Sequence, residues 1–286
     1  MDNGRLNLFF PQWQGAGNLG LLLGAQKLRQ ILFANKAPQQ AFVEVSVSSS
    51  YQLQVENNIL GHAQIVAQLA DANRRLQTIN PHRIFTIGGD CGVEIAPVSF
   101  LNQRYNNNLA IVWLDAHGDL NTPLSSPSRR FHGMPLRMLT ENNDATIERY
   151  KFSRVDAKQI FLVGSRELDS PEEHFIKQKS LPLFTASEIN AGNYLPLISA
   201  IKAAKYNNLY IHLDLDVIEP TIFPHVTCPT PNGITLSGLY QLLSALADEF
   251  TVVGASVLEL LPRQGIEPPV ESAIAAIRPH VSQLLR

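Results

Sequence analysis

Only two cysteines, Cys91 and Cys228, occur in the 286 residues. A disulfide framework is therefore excluded, and a reducing cytoplasm is the expected compartment. Charge is sparse as well: Asp, Glu, Lys and Arg make up 17% of the chain, against roughly 25% in an average soluble protein. Lys+Arg number 23 and Asp+Glu 25, so the net charge is −2 with histidine neutral. No Lys/Arg block stands out, which argues against nucleic acid as a partner. No apolar run approaches the roughly 20 residues that span a bilayer, so no membrane partner is expected. The opening stretch MDNGRLNLFFPQWQ lacks a basic segment followed by a long apolar one, and no secretory signal is expected there. Apolar residues, by contrast, reach 45%, ordinary for a folded chain and too high for disorder.

Short runs rich in β-branched and aromatic residues predict strands near 6–10, 41–47, 83–87, 109–114, 159–163, 183–185, 209–213 and 252–258. Most are near-continuously apolar, as strands buried on both faces of a parallel sheet are. Between many of them lie segments of helical spacing. Over 59–77, Leu60, Ile65, Val66, Leu69 and Leu76 recur in this way, and 239–250 and 270–285 read similarly. Alternating strand and helix predicts an α/β fold, a mostly parallel sheet with helices on both faces. The Pro/Ser-rich stretch 122–130 reads as a loop over the sheet rather than a linker, so one domain, 1–286, is expected.

Three polar clusters each follow a predicted strand: Gly88-Gly89-Asp90-Cys91-Gly92, Asp115-Ala116-His117-Gly118-Asp119 and Asp214-Leu215-Asp216. In open parallel sheets ligands gather at the carboxyl ends of the strands. Carboxylates converging there without basic partners repel one another, and metal cations remove that conflict. Sites rich in carboxylate with one imidazole suit hard or borderline ions such as Mn²⁺. Alternation along an extended segment puts Asp115, His117 and Asp119 on one side, and likewise Asp214 and Asp216. A lone Asp-x-Asp is commonly just a turn or a helix cap. Three acidic clusters in succession weaken that reading.

At these residues the chain resembles the ureohydrolases: arginases, agmatinases, formimidoylglutamases and related amidinohydrolases. The family's marks Gly-Gly-Asp-His, Asp-Ala-His-x-Asp and Ser-x-Asp-x-Asp-x-x-Asp-Pro read here GGDC (88–91), DAHGD (115–119) and HLDLDVIEP (212–220). The resemblance implies a single three-layer α/β/α domain with roughly eight strands. It also implies two divalent ions, with Mn²⁺ the leading candidate. Asp115 and Asp214 would bridge them, Cys91 and Asp119 would complete one, and His117 and Asp216 the other. A hydroxide between the ions would attack the guanidinium carbon. His132, in RFHGMPL, matches a proton-shuttling histidine, and Glu259, in SVLELLP, a glutamate that bonds the guanidinium.

The loop after the middle motif is more similar to arginases than to agmatinases. Asn121 and Ser128 match residues that bind an α-carboxylate, Asp169 an acid near the α-amino group, and Glu172 a further contact. The implied reaction is hydrolysis of L-arginine or Nω-hydroxy-L-arginine to ornithine plus urea or hydroxyurea. A homo-oligomer, trimer or hexamer, is implied as well. Formimidoylglutamase chemistry, with Arg129 or Arg130 meeting an extra carboxylate, is one alternative. A non-catalytic member with a degraded metal site is another.

Several residues depart from the family pattern. Cys91 stands where most members have a histidine ligand, and three readings are open: a ligand, a thiol beside a weakly held ion, or an inert buried cysteine. Some arginase-like enzymes that cleave Nω-hydroxy-L-arginine share this exchange. Cys228 replaces a threonine beside the guanidinium pocket, Glu219 the last aspartate of the third motif, and His212 its serine. His212 shares the side of Asp214 and either supports a ligand or is a satisfied core residue. Of the other histidines, His62 is expected solvated or half-buried on a helix, His82 in a loop, His174 and His280 in polar helical surroundings, and His225 near the cleft.

Overall fold

The segment LAIVWL is apolar at every position, and its alternate side chains enter two different cores. Ala110, Val112 and Leu114 face one, while Leu109, Ile111 and Trp113 face the other. This period of two is what a strand covered on both faces requires. The computed structural model describes residues 4–34 and 42–285. Within them the central sheet has eight strands. They are β1 (Arg5–Phe10), β2 (Phe42–Glu44), β3 (Arg83–Gly88), β4 (Leu109–Leu114), β5 (Ile160–Val163), β6 (Leu183–Phe184), β7 (Asn208–Asp214) and β8 (Thr251–Leu258). Their order across the sheet is β2-β1-β3-β8-β7-β4-β5-β6, and every pairing is parallel.

Helices cover both faces, giving three layers. On one side Gly20–Leu32, Leu195–Ala203, Leu236–Glu249 and Val270–Val281 pack against the sheet; on the other, His62–Ile79, Ile95–Arg104 and Ser170–Lys179 do so. Helix Gly20–Leu32 buries Leu21, Gly24, Ala25, Leu28 and Leu32, a stripe of three- and four-residue steps. No described helix is long and apolar enough to cross a membrane.

The predicted elements are all present, with shifted ends. The strand expected over 41–47 is confined to Phe42–Glu44, and position 41 lies outside the described residues. The helix expected from 59 starts at His62, because Ile59–Leu60 pairs with Val55–Glu56 as a short antiparallel hairpin turning at Asn57–Asn58, and Gly61 at φ 71° then caps the helix. Helix Leu236–Glu249 starts earlier than expected, where the Thr235 hydroxyl accepts the Gly238 N–H at 3.1 Å. Two histidines are corrected. His62 is buried, with Nε2 3.1 Å from the Asp144 carboxylate, and His280 is buried with Nε2 2.9 Å from the Leu236 carbonyl.

Because every sheet strand runs in the same direction, the residues that follow β3, β4, β5, β7 and β8 share one edge. All three acidic clusters, the loop carrying Asp169, and Glu259 fall on that edge.

Candidate metal centre

Asp90, within GGDC, builds the floor. Its carboxylate accepts hydrogen bonds from Gln12 Nε2 (2.8 Å), Gly15 N (2.8 Å), Ala16 N (3.3 Å) and Gly92 N (2.9 Å), tying the loop after β3 to the loop after β1. Gly89 is clamped between neighbours: its N–H donates to Phe10 O at 3.1 Å and its carbonyl accepts from Glu259 N at 2.7 Å. A Cβ at this position would lie 1.7 Å from the Gln12 carbonyl oxygen. Gly89→Ala is therefore expected to cost about 3 kcal/mol or more, since neither loop can yield without breaking the clamp. The denaturant midpoint measures this; an unchanged midpoint would contradict it.

Above this floor the donor atoms gather in two sets. One ligand atom each from Cys91, Asp115, His212 and Asp214 lie within 4.8 Å of one another, and so do those of Asp115, His117 and Asp216. Asp115 belongs to both sets, Asp214 only to the first, and Asp119 to neither. The loops are stitched together: Asp115 Oδ1 accepts from His117 N at 2.7 Å, Asp214 Oδ1 from Asp216 N at 2.8 Å, and Asp216 Oδ1 from Ala116 N at 3.1 Å. His117 Nδ1 sits 3.0 Å from Asp216 Oδ2 and 3.4 Å from Asp115 Oδ1. Cys91 Sγ donates to Asp214 Oδ2 at 3.2 Å.

These groups are short of positive charge. Burial and the surrounding acids push the Asp119 and Asp214 carboxyls well above the usual carboxylate range. Asp216 is raised to about 6 by burial and by Asp115, against the pull of His117. Burial and Asp119 push the Cys91 thiol up in the same way. Burial works against a charged His117, but Asp115 and Asp216 override it and raise its pKa. Asp119 Oδ2 is buried with no hydrogen-bond partner. A buried acceptor without a donor, amid carboxylates that resist ionising, fits divalent cations. The buried cluster is thus a group of potential metal ligands.

A cleft with about 190 Å³ of open space rises from the cluster, lined among others by Cys91, His117, Asp119, Asn121, Ser128, His132, Asp169, Glu172, Asp214, Asp216, Cys228 and Glu259. Pockets for drug-sized ligands run to roughly 300–1,000 Å³, so this one suits a small molecule of amino-acid size. Glu259 joins floor and wall: its Oε1 accepts from Cys91 N at 3.1 Å and lies 3.3 Å from His132 Nδ1, while Oε2 accepts from Thr227 Oγ1 at 2.6 Å. Burial lowers the His132 pKa, but the Glu259 carboxylate outweighs it and holds the ring above its ordinary value. Asp119 and Glu259 both have left-handed backbone, at φ 53° and 65°. Such strain collects at functional sites.

Toward the mouth, Asn121 Nδ2 donates to Asp169 Oδ2 at 2.8 Å, and Ser128 is exposed. Glu172 is more committed than the sequence suggested. Its two oxygens accept from Leu120 N and Asp169 N, both at 2.9 Å, so it holds the loop in place. Cys228 is half-buried on the wall. Arg129 and Arg130 are exposed and outside the cleft lining. His225 is buried away from the lining, with Nε2 2.8 Å from the Pro268 carbonyl and Nδ1 accepting from Arg263 N at 3.0 Å. Sequence reasoning missed Thr227, one residue before Cys228, and Glu94, which holds His212. Neither belongs to a motif.

Fold and donor cluster together define a three-layer α/β domain with a buried group of potential metal ligands at the carboxyl edge of its sheet. The model of the arginase family matches residues 10–281. The chain belongs to the arginase family. Arginase from Staphylococcus aureus (strain MRSA252) is 27% identical over 269 residues, covering 88% of this chain and 88% of that protein. Among solved structures, Entamoeba histolytica arginase in complex with L-ornithine superposes with a TM-score of 0.86 at 22% identity, covering 99% of this chain and 98% of that one. Formimidoylglutamase from Bacillus subtilis gives 0.73 at 18% identity, covering 99% and 87%. At these identities the structural likeness speaks for the fold. Family membership implies a hydrolase acting on C–N bonds of linear amidines, guanidino groups in general.

Proposed function

We propose that the chain, as one 1–286 domain, hydrolyses the guanidino group of L-arginine or Nω-hydroxy-L-arginine, releasing ornithine with urea or hydroxyurea. The observation that carries this reading is two donor sets sharing Asp115 at the base of a cleft whose wall presents Glu259. Cys91, Asp115, Asp119, His117, Asp214 and Asp216 would hold two divalent ions, Mn²⁺ by the family's habit. Such ions supply a nucleophile at neutral pH by lowering the pKa of bound water.

The remaining work falls to side chains. Glu259 orients the guanidinium through charge-assisted hydrogen bonds. His132, 3.3 Å from Glu259, would pass a proton to the leaving amine. Asn121 and Ser128 offer neutral donors to an α-carboxylate, and Asp169 a negative partner to an α-ammonium. Arginine-type substrates are favoured over formiminoglutamate, because the basic side chains proposed for its second carboxylate stand outside the cleft lining.

The test is a product assay. Protein loaded with Mn²⁺ is offered L-arginine, Nω-hydroxy-L-arginine, agmatine and formiminoglutamate, and urea, hydroxyurea, ornithine and formamide are quantified. Ornithine from one of the first two is the expected result. No turnover of any substrate by protein holding two ions would refute the proposal.

A further inference from the structure

His212 has no place in the family pattern set out above, where serine precedes the two acids, yet it is buried completely against the metal ligands. Its ring stacks on the Trp113 indole with centroids 3.6 Å apart and planes 9° from parallel. Its Nδ1 lies 2.8 Å from Glu94 Oε1. Glu94 is equally buried and also accepts the hydroxyls of Ser256 and of Tyr210, the latter at 2.5 Å. The Nδ1 contact with Glu94 fixes the ring, leaving Nε2 turned toward Asp115 and Cys91.

That nitrogen faces Asp115 and Cys91 from beyond ordinary N–H···O distance. Nε2 is 3.5 Å from Asp115 Oδ2 and 3.8 Å from Cys91 Sγ. An N–H···O bond spans about 2.7–3.2 Å. The spacing suits a different role. Around a tetrahedral ion with metal–N and metal–O near 2.1 Å and metal–S near 2.3 Å, donor atoms stand about 3.4–3.6 Å apart. The measured edges, 3.2 Å for Cys91–Asp214, 3.5 Å for His212–Asp115 and 3.8 Å for His212–Cys91, scatter about that span.

We propose that His212 is a metal ligand, completing with Cys91, Asp115 and Asp214 a thiolate–imidazole–dicarboxylate site that prefers Zn²⁺ to Mn²⁺. The proposal rests on the two-ion reading above and refines one of its sites. The imidazole missing from position 91 is supplied from β7 instead, and Glu94 orients it as carboxylates orient metal-bound histidines. One soft sulfur and one imidazole in tetrahedral array favour Zn²⁺ over Mn²⁺. Asp119 lies outside this donor set and lines the cleft, so His212 takes the ligand place given to Asp119 in the two-ion reading above.

The experiment uses Co²⁺ as a spectroscopic probe, with Zn²⁺ and Mn²⁺ titrations beside it. The full chain with two equivalents of Co²⁺ should show a thiolate-to-cobalt band in the near ultraviolet and intense visible absorption of tetrahedral cobalt. Its proton spectrum should contain a hyperfine-shifted imidazole N–H that exchanges slowly with solvent, because Glu94 holds that proton in the core. In His212→Ser that resonance and the tetrahedral intensity should vanish, and Zn²⁺ binding at one site should weaken more than about 100-fold. Glu94→Gln should weaken it about 10–100-fold. A wild-type cobalt spectrum without tetrahedral bands overturns the proposal even if neither variant folds. So does a His212→Ser protein whose spectrum and Zn²⁺ affinity match the wild type. None of these readouts needs turnover. A chain that shows them yet hydrolyses no guanidino compound would remove the functional reading and leave the ligand role of His212 standing.

Discussion

Asp115→Asn is expected to lower kcat about 1,000-fold or more and to leave fewer than two ions per chain after desalting. Asp115 is the residue common to both donor sets, so its loss weakens both at once. The amide should preserve the fold: its oxygen can still accept the His117 N–H that Asp115 Oδ1 takes at 2.7 Å. What it lacks is charge, and its NH₂ would face Trp113 Nε1, which donates to Asp115 Oδ2 at 3.2 Å, and the His212 ring beyond. Without bound metal, water loses the acidity that would supply a nucleophile at neutral pH. Elemental analysis, circular dichroism and steady-state kinetics on one sample separate the effects. A folded variant holding two ions with wild-type kcat would show that Asp115 is not shared between them.

Glu259→Gln is expected to lower kcat/KM about 10–150-fold and to shift the pH profile. The carboxylate accepts from Cys91 N and Thr227 Oγ1 and faces His132. A hydrogen bond to a charged group contributes about 1.5–3 kcal/mol, which sets the range. The pH effect follows from the raised pKa of His132. Burial alone would lower it, and Glu259 supplies the largest opposing pull. If protonated His132 delivers the proton to the leaving amine, activity falls as pH rises through that pKa. Neutralising Glu259 lowers the pKa, so the alkaline limb should move to lower pH. An unmoved limb alongside a lowered kcat/KM would mean that another group titrates there.

Much of this architecture was legible because its signals are local. LAIVWL, IFLV and TVVGASVL read as strands covered on both faces, and the acids after them share an edge because those strands run parallel. The order of strands was not legible. β7 and β8 insert between β3 and β4, far from them in the chain, and that insertion brings Asp214 to Cys91. Element ends shifted where single residues intervened, as at Gly61 and Thr235. The loops also decided what sequence left open: Glu172 proved to be a backbone acceptor, and His225 turned away from the cleft.

The sequence by itself determined which chemical groups this protein delivers to the carboxyl ends of its strands, since each motif directly follows a strand. Only the tertiary structure decided how those groups combine. Asp115 entered both donor sets and Asp119 neither, Glu94 came under the His212 ring, and Thr227 met Glu259. The physical reason is distance along the chain. Strand propensity and alternation act over a few residues, whereas a contact such as His212 on Glu94 joins residues 118 positions apart and exists only once the sheet has assembled.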